Sequence, residues 1–536
     1  MKLSGSLAAL AAAQFVMVLD QAVMNVSISQ LVDDFDTTVT TIQGVITLYS
    51  LVMAMLMLTG GKIGDIIGRR RAFIVGLVIY ACGSALTAVA PSVLVLALGW
   101  SVLEGIGAAL VLPALAALIA GNFEGRDRVR AYAVIGGVAG AGIAVGPILG
   151  GWATTVLTWR IVFVGEVILV AGILLLARRL MDAPREGPAP NLDVVGAALS
   201  ALGLGAIVMG TLQASTWGWI EPKDSPITPL GFSLTIYVVG VGFALMWLFA
   251  RWQRHREATG ADPLVHLDLL SILPLRSGLA SLFSQNLILM GVFFVVPLYL
   301  QLVLGLNALD TGIRMLPVSI TMLVASALGS RLSLRFAVRS IVRAGLLTIA
   351  ASVILLLATI DPELQGVAFA VAMALLGAGM GLIASQLGNV VQSSVDASGR
   401  SEAGGLQYTG QQLGSSLGVA LIGAIVLGSL TANFLATVDS DPRISDQVAA
   451  QVGIAVGGSV EFVDSEEVAA AVESAGLDEA TADAIVEGYE AAQLQALKTG
   501  LLVAAIIALL TLLFTRYLPD RRPGQGPSPP VSEATA

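Results

Sequence analysis

The sequence predicts an all-α polytopic membrane protein with fourteen transmembrane helices: two six-helix bundles, two linker helices between them, and both termini in the cytosol. Three observations lead to this prediction. Hydrophobic residues make up 56% of the 536 residues and charged residues only 12%, a balance typical of multi-span membrane proteins. Apolar stretches long enough to cross a bilayer, which takes about 20 residues, recur along the chain. Basic residues concentrate in alternate connecting loops.

Fourteen apolar stretches qualify as spans, with ends placed to within a few positions. The first, 7–29, is longer than the apolar core of a signal peptide and contains Asp20, so we interpret it as a retained span. The others are 42–60, 72–90, 94–120, 131–156, 160–180, 193–213, 230–251, 277–303, 312–334, 341–360, 365–391, 405–430 and 497–516.

The basic residues determine the predicted orientation. With the N-terminus in the cytosol, all but five of the 28 Lys and Arg residues fall on the cytosolic side. The exceptions are Arg160, Lys223, Arg314, Arg443 and Lys498. Such an asymmetry is the strongest sequence indicator of topology, and the even number of spans then places the C-terminus in the cytosol as well.

Glycines indicate an internal duplication. Gly142, Gly146 and Gly150 of the fifth span recur as Gly410, Gly414 and Gly418 of the thirteenth, and Gly61 recurs as Gly329. A single offset across separate regions predicts an N-terminal bundle over 1–180 and a C-terminal bundle over 276–516, with linker helices over 193–251. Two repeated bundles around a midplane site are typical of alternating-access transporters.

Two segments lie outside the bundles. Residues 431–496 contain thirteen Asp and Glu residues and one basic residue, Arg443. We expect an acidic extracytoplasmic loop with one or two short exposed helices between Ser465 and Leu497. It is either a solvated cap or a field that attracts cationic substrates. The proline-rich tail, 519–536, is predicted to be disordered.

Several function classes find no support in the sequence. The single cysteine, Cys82, provides no disulfide framework or metal cluster, and a net charge of −9 without a basic face argues against nucleic-acid binding. No phosphate-binding Gly-rich loop and no His-Glu-x-x-His motif is present. We therefore expect no enzyme, no cofactor and no metal. A passive channel is disfavoured by the duplication.

A short cytosolic loop between the second and third spans combines three glycines, one carboxylate and four basic residues. It runs Gly61-Lys62-Ile63-Gly64-Asp65-Ile66-Ile67-Gly68-Arg69-Arg70-Arg71. Glycines such as Gly61 let two helices turn and cross closely. Asp65 has positive partners in the same loop, Arg69 among them. The alternative interpretation is a plain basic loop that only fixes orientation.

The fifth span carries glycines around one proline: Gly142-Ile143-Ala144-Val145-Gly146-Pro147-Ile148-Leu149-Gly150-Gly151-Trp152. This run resembles the antiporter motif of drug exporters of the major facilitator superfamily. The loop at 61–71 resembles that superfamily's first cytosolic loop motif. In the first span, Leu19-Asp20-Gln21-Ala22-Val23-Met24-Asn25-Val26 resembles the signature of the fourteen-span drug:proton antiporter group.

The resemblance covers about 1–430 and 497–516 and implies the major facilitator fold. In the family, the Gly146-Pro147 bend is taken to favour export by sealing one face of the cavity. Small residues would let this span pack on a neighbour from the opposite bundle, and the proline would bend it. The alternative is that the Gly146-Pro147 run serves only ordinary helix packing.

The chain departs from the family pattern at four positions. Ser101 and Glu104 stand where arginine and glutamine are usual, Glu166 stands where asparagine is usual, and Gln411 replaces a common arginine. The proton-relay role that the family gives to an arginine in the fourth span is therefore not carried over to this chain.

Three carboxylates lie inside predicted spans without a basic neighbour: Asp20, Glu104 and Glu166. Acids at membrane depth are costly and mark ion or substrate paths by default. A buried carboxyl group without a positive partner takes up a proton more readily than one in water. We therefore hypothesise that these three exchange protons for a cationic substrate. For Glu166, an ordinary interhelical hydrogen bond is at least as good an explanation.

Amide and aromatic side chains are the predicted lining of a central cavity. Spacings of three and four residues place Gln386 with Asn389, and Gln407 with Gln411, on single helix faces. The predicted lining is Gln21, Asn25, Trp100, Gln386, Asn389, Gln407, Tyr408 and Gln411. Further candidates in the ninth span are the amides Gln285 and Asn286 and the apolar Met290. For the aromatic residues, plain packing is the alternative to contacts with a cation.

Together these features predict a secondary active transporter that exports small, lipophilic, cationic compounds in exchange for protons by alternating access. The alternative is a dedicated exporter of one endogenous metabolite or lipid-like compound on the same fold. We expect a multi-pass protein of a bacterial inner or plasma membrane that acts as a monomer. Its expected partners are the lipid bilayer, protons and a small-molecule substrate, with no nucleic acid.

Overall fold

Helices account for all the regular structure in the described part of the chain. The computed structural model describes residues 4–520, apart from 124, 179, 182–190, 334, 364, 396–399, 457–459, 461 and 476. From residue 521 onward, the predicted disordered tail lies outside the described residues.

The N-terminal bundle consists of six long spans and one short outer helix. Its helices are α1 (Ser4–Val26), the short α2 (Ile28–Phe35), α3 (Val39–Ile67), α4 (Arg69–Ala88), α5 (Val93–Leu96), α6 (Gly105–Asn122), α7 (Gly125–Trp152) and α8 (Arg160–Ala177). A π-helical segment, Ala97–Glu104, joins α5 and α6 into one span, and a π-helical turn, Ala153–Leu157, extends α7.

Two linker helices and a second bundle follow. The helices are α9 (Val194–Trp217), α10 (Leu234–Ala258), α11 (Leu273–Leu298), α12 (Ala308–Leu332), α13 (Val338–Thr359), α14 (Gly366–Ser393), α15 (Arg400–Ser440), the short α16 (Asp446–Val456) and α17 (Ser465–Ser474), and α18 (Glu479–Phe514). A π-helical turn, Tyr299–Val303, extends α11. Short 3₁₀ turns lie at Pro229–Gly231, Leu267–Ser271 and Thr515–Tyr517.

Within the described residues, thirteen helices are long and apolar enough to cross a membrane. The fifth predicted span corresponds to α7, many of whose side chains lie outside the described set. Its 28 residues give a length of about 42 Å at 1.5 Å per residue, which also exceeds the bilayer core. Together these helices account for the fourteen predicted spans.

The glycine repeat coincides with equivalent helix pairs in the two bundles. In the first bundle, Gly146 of α7 lies so close to Ala22 of α1 that a Cβ would overlap it. In the second, Gly414 of α15 lies equally close to the backbone of Phe283 in α11. Glycine therefore sets the distance between the first and fifth spans of each bundle.

Helix α7 packs on α12 of the opposite bundle, as expected of the fifth span, but Gly142 and Gly146 do not make that contact. Gly142 and Gly146, one turn apart, share the face that packs on α1 of their own bundle. Gly151 instead meets the backbone of Ala308 at the start of α12, because five further residues turn its position to another helix face. The side chain of Pro147 lies outside the described set.

The two bundles meet along two helix pairs, α3 with α15 and α7 with α12. Near the outer end of α3, the Gln43 side-chain amide donates a hydrogen bond of 2.9 Å to the carbonyl oxygen of Val419. On the other side of the molecule, the Leu309 N–H donates to the Thr155 hydroxyl at 3.1 Å. These bonds join the outer halves of the bundles.

The last two spans extend beyond their predicted ends. α15 continues to Ser440 and α18 begins at Glu479, where the sequence predicted ends at 430 and 497. The extension of α18 over 479–496 carries four acidic residues, whereas the extension of α15 over 431–440 carries one, Asp439, and buries Phe434 and Val438. α16 and α17 pack beside them; the rings of Phe434 and Tyr489 meet edge to face at 5.6 Å, and Phe462 is buried.

The loop motif at 61–71 forms the tight turn from α3 to α4. Gly68 adopts a φ of 100° between the two helices, a conformation that residues with a Cβ rarely adopt. Asp65 and Arg69 form an ion pair of 3.4 Å. Arg70 donates to the carbonyl oxygens of Ala177 and Arg178, so the loop also holds the cytosolic end of α8.

An aromatic cluster around Asp34 closes the outer end of the N-terminal bundle. Desolvation opposes ionisation of Asp34, but hydrogen bonds from Gln30, Trp159 and Arg160 outweigh it and hold its pKa below the ordinary value. The Trp159 indole donates at 2.8 Å and the Arg160 guanidinium at 3.0 Å. Arg160 also stacks on the Trp159 ring.

We expect Gly414→Ala to lower the melting temperature of the purified protein by several degrees, because the new Cβ would overlap the Phe283 carbonyl. Gly428→Ala is the matched control, since nothing lies within 4 Å of a Cβ at Gly428 in the same helix. That control should be neutral or slightly stabilising. Thermal unfolding in detergent measures both. Equal effects would contradict the close packing of α15 on α11.

We expect the Asp34→Asn variant to lose less thermal stability than the wild type when the pH is lowered. A carboxylate whose pKa is lowered by folding contributes stability above its unfolded pKa, about 3.9. That contribution disappears as the pH falls through the lower folded pKa. The wild type should therefore lose more of its melting temperature between pH 6 and pH 3 than the variant. Parallel pH profiles would show that Asp34 gains nothing from its partners.

Candidate functional site

Three carboxyl groups from three separate spans meet inside the N-terminal bundle. Asp20 comes from α1, Glu104 from the end of the π-helical segment before α6, and Glu166 from α8. Each offers a carboxylate oxygen within 4.8 Å of those of the other two. All three side chains are buried, with at most 1% of their surface exposed. The structure thus brings together the three residues that the sequence singled out.

Hydrogen bonds satisfy only part of this cluster. The Trp100 indole N–H donates to Oδ1 of Asp20 at 2.7 Å. The hydroxyls of Tyr80 and Ser84 donate to Oε2 of Glu166 at 3.3 and 3.1 Å. Oδ2 of Asp20, Oε1 of Glu166 and both oxygens of Glu104 have no hydrogen-bond partner among the residues that the structure describes.

Positive charge is missing around the cluster as well. None of the three carboxylates takes part in an ion pair with any residue that the structure describes. At a spacing of 4.8 Å, two negative charges repel by about 3 kcal/mol at an effective dielectric constant of about 20. Three unscreened charges therefore do not persist together, and the cluster holds either protons or a cation.

Small residues let the helices approach closely enough to form the cluster. A Cβ at Gly83 of α4 would overlap the Glu104 side chain and the Gly99 carbonyl. A Cβ at Gly99 would in turn crowd Thr87. The π-helical segment lies at this crossing, and such segments occur frequently at functional sites.

A separate cavity of about 210 Å³ lies between the two bundles. Helices α1, α3, α6 and α7 contribute to one side of it and α11, α12, α14 and α15 to the other. Seven carboxamide side chains line it: Gln14, Gln21, Gln285, Asn286, Gln407, Gln411 and Gln412. Four methionines add flexible apolar surface: Met17, Met53, Met290 and Met322. Gln21 spans the cavity edge and donates to Gln412 of the opposite bundle at 3.2 Å.

Four of the predicted lining residues lie on this wall: Gln21, Gln407, Tyr408 and Gln411. Trp100 lies in the N-terminal bundle instead, stacked on Tyr49 at 4.7 Å and bonded to Asp20. Gln386 donates to the Gly329 carbonyl of α12, and neither it nor Asn389 is part of the wall. The side chain of Asn25 lies outside the described set.

The carboxylate cluster and the cavity are separate sites. Asp20, Glu104 and Glu166 are absent from the described cavity wall, and burial closes them off on every side. Asp20 and Gln21 are neighbours in α1, but a rotation of about 100° per residue directs them to different faces. The sequence-based hypothesis combined the two functions in one place because it did not resolve this rotation.

Gln14 is a wall residue that the sequence analysis missed. It lies seven residues, two helical turns, before Gln21, and this spacing would have identified it as part of the same face. Gln412 lies five residues from Gln407, outside the spacings of three and four that paired Gln407 with Gln411. Gln285, Asn286 and Met290, the further candidates from the sequence, do lie on the wall. Met17, Met53 and Met322 carry no polar signal and could not be distinguished from core residues in the sequence.

The three carboxylates could also serve as oxygen ligands for a hard cation, since Mg²⁺ and Ca²⁺ bind carboxylates. Such ions take six or more oxygens, and three side chains offer ligand atoms here. The arrangement fits binding and release of protons more directly, because that chemistry needs no further ligands.

Two helical bundles around a central cavity are the arrangement of a membrane transporter. The chain belongs to the major facilitator superfamily, whose family model matches residues 10–419. The resemblance inferred from the sequence motifs is confirmed. The protein is therefore a multi-pass transporter of the cell membrane that handles small molecules, and not an enzyme.

Comparisons with known proteins agree with this assignment. The chain is 28% identical over 534 residues to a tetracenomycin C resistance and export protein of Streptomyces glaucescens, covering 98% of this chain and 94% of the relative. It is also 28% identical to a multidrug efflux pump of Mycolicibacterium smegmatis, covering 95% and 94%. A solved bacterial homologue of the human lysosomal transporter Spinster shares the fold, with a TM-score of 0.57 and 15% identity over 96% of this chain and 98% of that one.

We expect Trp100→Phe to destabilise the protein by about 1–3 kcal/mol, the usual cost of leaving a buried polar group without its partner. Phenylalanine keeps a ring against Tyr49 but removes the N–H that bonds Asp20. Trp219→Phe in an exposed outer loop is the control. Thermal unfolding in detergent compares them, and identical melting temperatures would mean that the indole bond contributes nothing.

Proposed function

We propose that this transporter exports small lipophilic molecules in exchange for protons, by alternating access and as a monomer. The observation that carries the proposal is the cluster of Asp20, Glu104 and Glu166. Three buried carboxyl groups lie within 4.8 Å of one another without a positive partner among the described residues. Their mutual repulsion makes the charge of the cluster depend on proton supply.

The position of the cluster supports coupling to transport. Asp20 belongs to α1, and the next residue, Gln21, lies on the cavity wall and bonds Gln412 in the opposite bundle. A change of charge at Asp20 therefore acts on the helix that also contacts substrate and the other bundle. In this scheme, proton uptake from outside neutralises the cluster and favours one packing of α1, and release to the cytosol favours the other.

The direction of transport is inferred from the relatives. One relative is a tetracenomycin C resistance and export protein and another is a multidrug efflux pump, and both match nearly the full length of this chain. The sequence alone favoured cationic substrates and left a dedicated metabolite exporter as the alternative. The number of unrelated compounds that drive proton movement distinguishes a multidrug pump from a dedicated exporter.

We expect Asp20→Asn, Glu104→Gln and Glu166→Gln each to reduce substrate-driven proton movement by at least tenfold while leaving substrate binding within about threefold. The reason is that amides cannot exchange protons, whereas the cavity wall remains intact. The measurement uses purified protein in liposomes with an imposed pH gradient and an internal pH-sensitive dye, together with binding of the same substrate in detergent.

Glu363→Gln is the matched control, because Glu363 is an exposed carboxylate in an outer loop. It should behave like the wild type. Intact pH-coupled transport in all three cluster variants would refute the proposal. Loss of folding in a single variant would be recognised by its melting temperature, and the other two variants would then decide.

A further inference from the structure

We infer that the central cavity selects uncharged molecules that are largely apolar and carry both a hydrogen-bond donor and an acceptor. The inference concerns the substrate class of the proposed exporter and rests on that function. It replaces the expectation of a cationic substrate, which required the carboxylates to face the cavity.

The wall of the cavity carries no formal charge. Among the described residues that line it there is no Asp, Glu, Lys, Arg or His. The side chains of α7 between 132 and 147 that lie outside the described set are uncharged by sequence as well. The nearby carboxylates are buried in the N-terminal bundle. A charged ligand would therefore find no counter-ion on this wall.

The wall does offer unused hydrogen-bonding groups. Oε1 of Gln14 is buried and has no hydrogen-bond partner in the described part of the chain, and only 7% of that residue is exposed. The amides of Gln407 and Gln411 likewise make no hydrogen bond to the described residues, and both line the cavity. An amide donates and accepts, so these groups fit a ligand with hydroxyl, carbonyl or amide functions. A buried polar group gains most when the ligand completes its missing bond.

Magnitudes favour a neutral ligand over a cation. Removing an ion from water costs several kcal/mol even after relaxation of the protein. Cation–π contacts with Tyr408 or Phe293, both on the wall, would return about 0.5–2 kcal/mol each. Apolar rings and chains instead gain from contact with the four wall methionines and pay no such penalty.

The charge of the substrate determines what drives the exchange. If a neutral molecule leaves as one or more protons enter, each cycle moves net positive charge inward. Both the pH gradient and an inside-negative membrane potential then drive export. A monovalent cation exchanged for one proton would move no net charge, and the potential would have no effect on that cycle.

The test uses three coumarins with the same ring: 7-(2-hydroxyethoxy)coumarin, which is neutral and carries a donor and acceptors, a trimethylammonium derivative and a sulfonate derivative. Purified full-length protein in liposomes is given a pH gradient, with and without a potassium diffusion potential set by valinomycin, and the passive rate in protein-free liposomes is subtracted. We expect the neutral coumarin to bind and to be transported at least tenfold faster than either charged one, and the potential to accelerate it. Equal or faster transport of a charged coumarin, or no binding of the neutral one, would overturn the inference.

The same assay separates failure of this inference from failure of the proposed function. Neutral coumarin that binds and crosses without any dependence on the pH gradient would refute proton exchange but leave the substrate class standing. Proton-coupled transport that prefers the cation would refute the neutral substrate class and leave proton exchange standing.

A charge added to the wall provides a second readout. We expect Gln411→Glu to raise transport of the trimethylammonium coumarin at least tenfold and to weaken transport of the sulfonate. Gln411→Met keeps the side chain neutral and of similar size, so it should leave the cation excluded. A wild type that already transports the cation as fast as Gln411→Glu would contradict a charge-selective wall.

Discussion

Repulsion among three buried carboxyl groups is the constraint on which the rest of this molecule depends. Asp20, Glu104 and Glu166 are held together by close helix packing at Gly83 and Gly99. The cluster has hydrogen-bond donors on only some of its oxygens. The bundle therefore contains a site whose energy depends on how many protons it holds. The close helix packing at Gly83 and Gly99 therefore has a second effect besides stability, because it holds three titratable groups together.

Much of the architecture could be predicted from the sequence, because bilayer thickness and loop charge act on long segments. The span count and the helical fold follow from hydropathy and charge averaged over such segments. The glycine repeat follows from the spacing of single residues, and it coincides with the α1–α7 and α11–α15 pairs. Contacts that depend on helix rotation could not be predicted in this way. The fifth span was expected against the opposite bundle, and α7 does pack on α12, but Gly146 packs on Ala22 of its own bundle while Gly151 meets Ala308. The start of α18 was misplaced because four acidic residues between 479 and 496 lower the mean hydropathy there, and the end of α15 because the whole segment from 431 was assigned to an acidic loop.

The candidate residues were recognised individually, but their division into two sites required coordinates. Asp20 and Gln21 are consecutive, so the sequence placed both at one site. In the structure, Asp20 belongs to the carboxylate cluster and Gln21 to the cavity wall. Trp100 was expected to touch substrate and instead bonds Asp20. Helix α1 thus contributes residues to both the carboxylate cluster and the cavity wall, although the two sites do not touch.

This separation on different faces of α1 has an evolutionary consequence. If the proposed proton exchange holds, substitutions among the amides and methionines of the cavity wall would alter which compounds are recognised without disturbing the carboxylates. Single substitutions in the wall would then change the range of substrates while the proposed proton exchange is preserved. The same property would let a resistance determinant broaden its range under selection by a succession of unrelated toxic compounds.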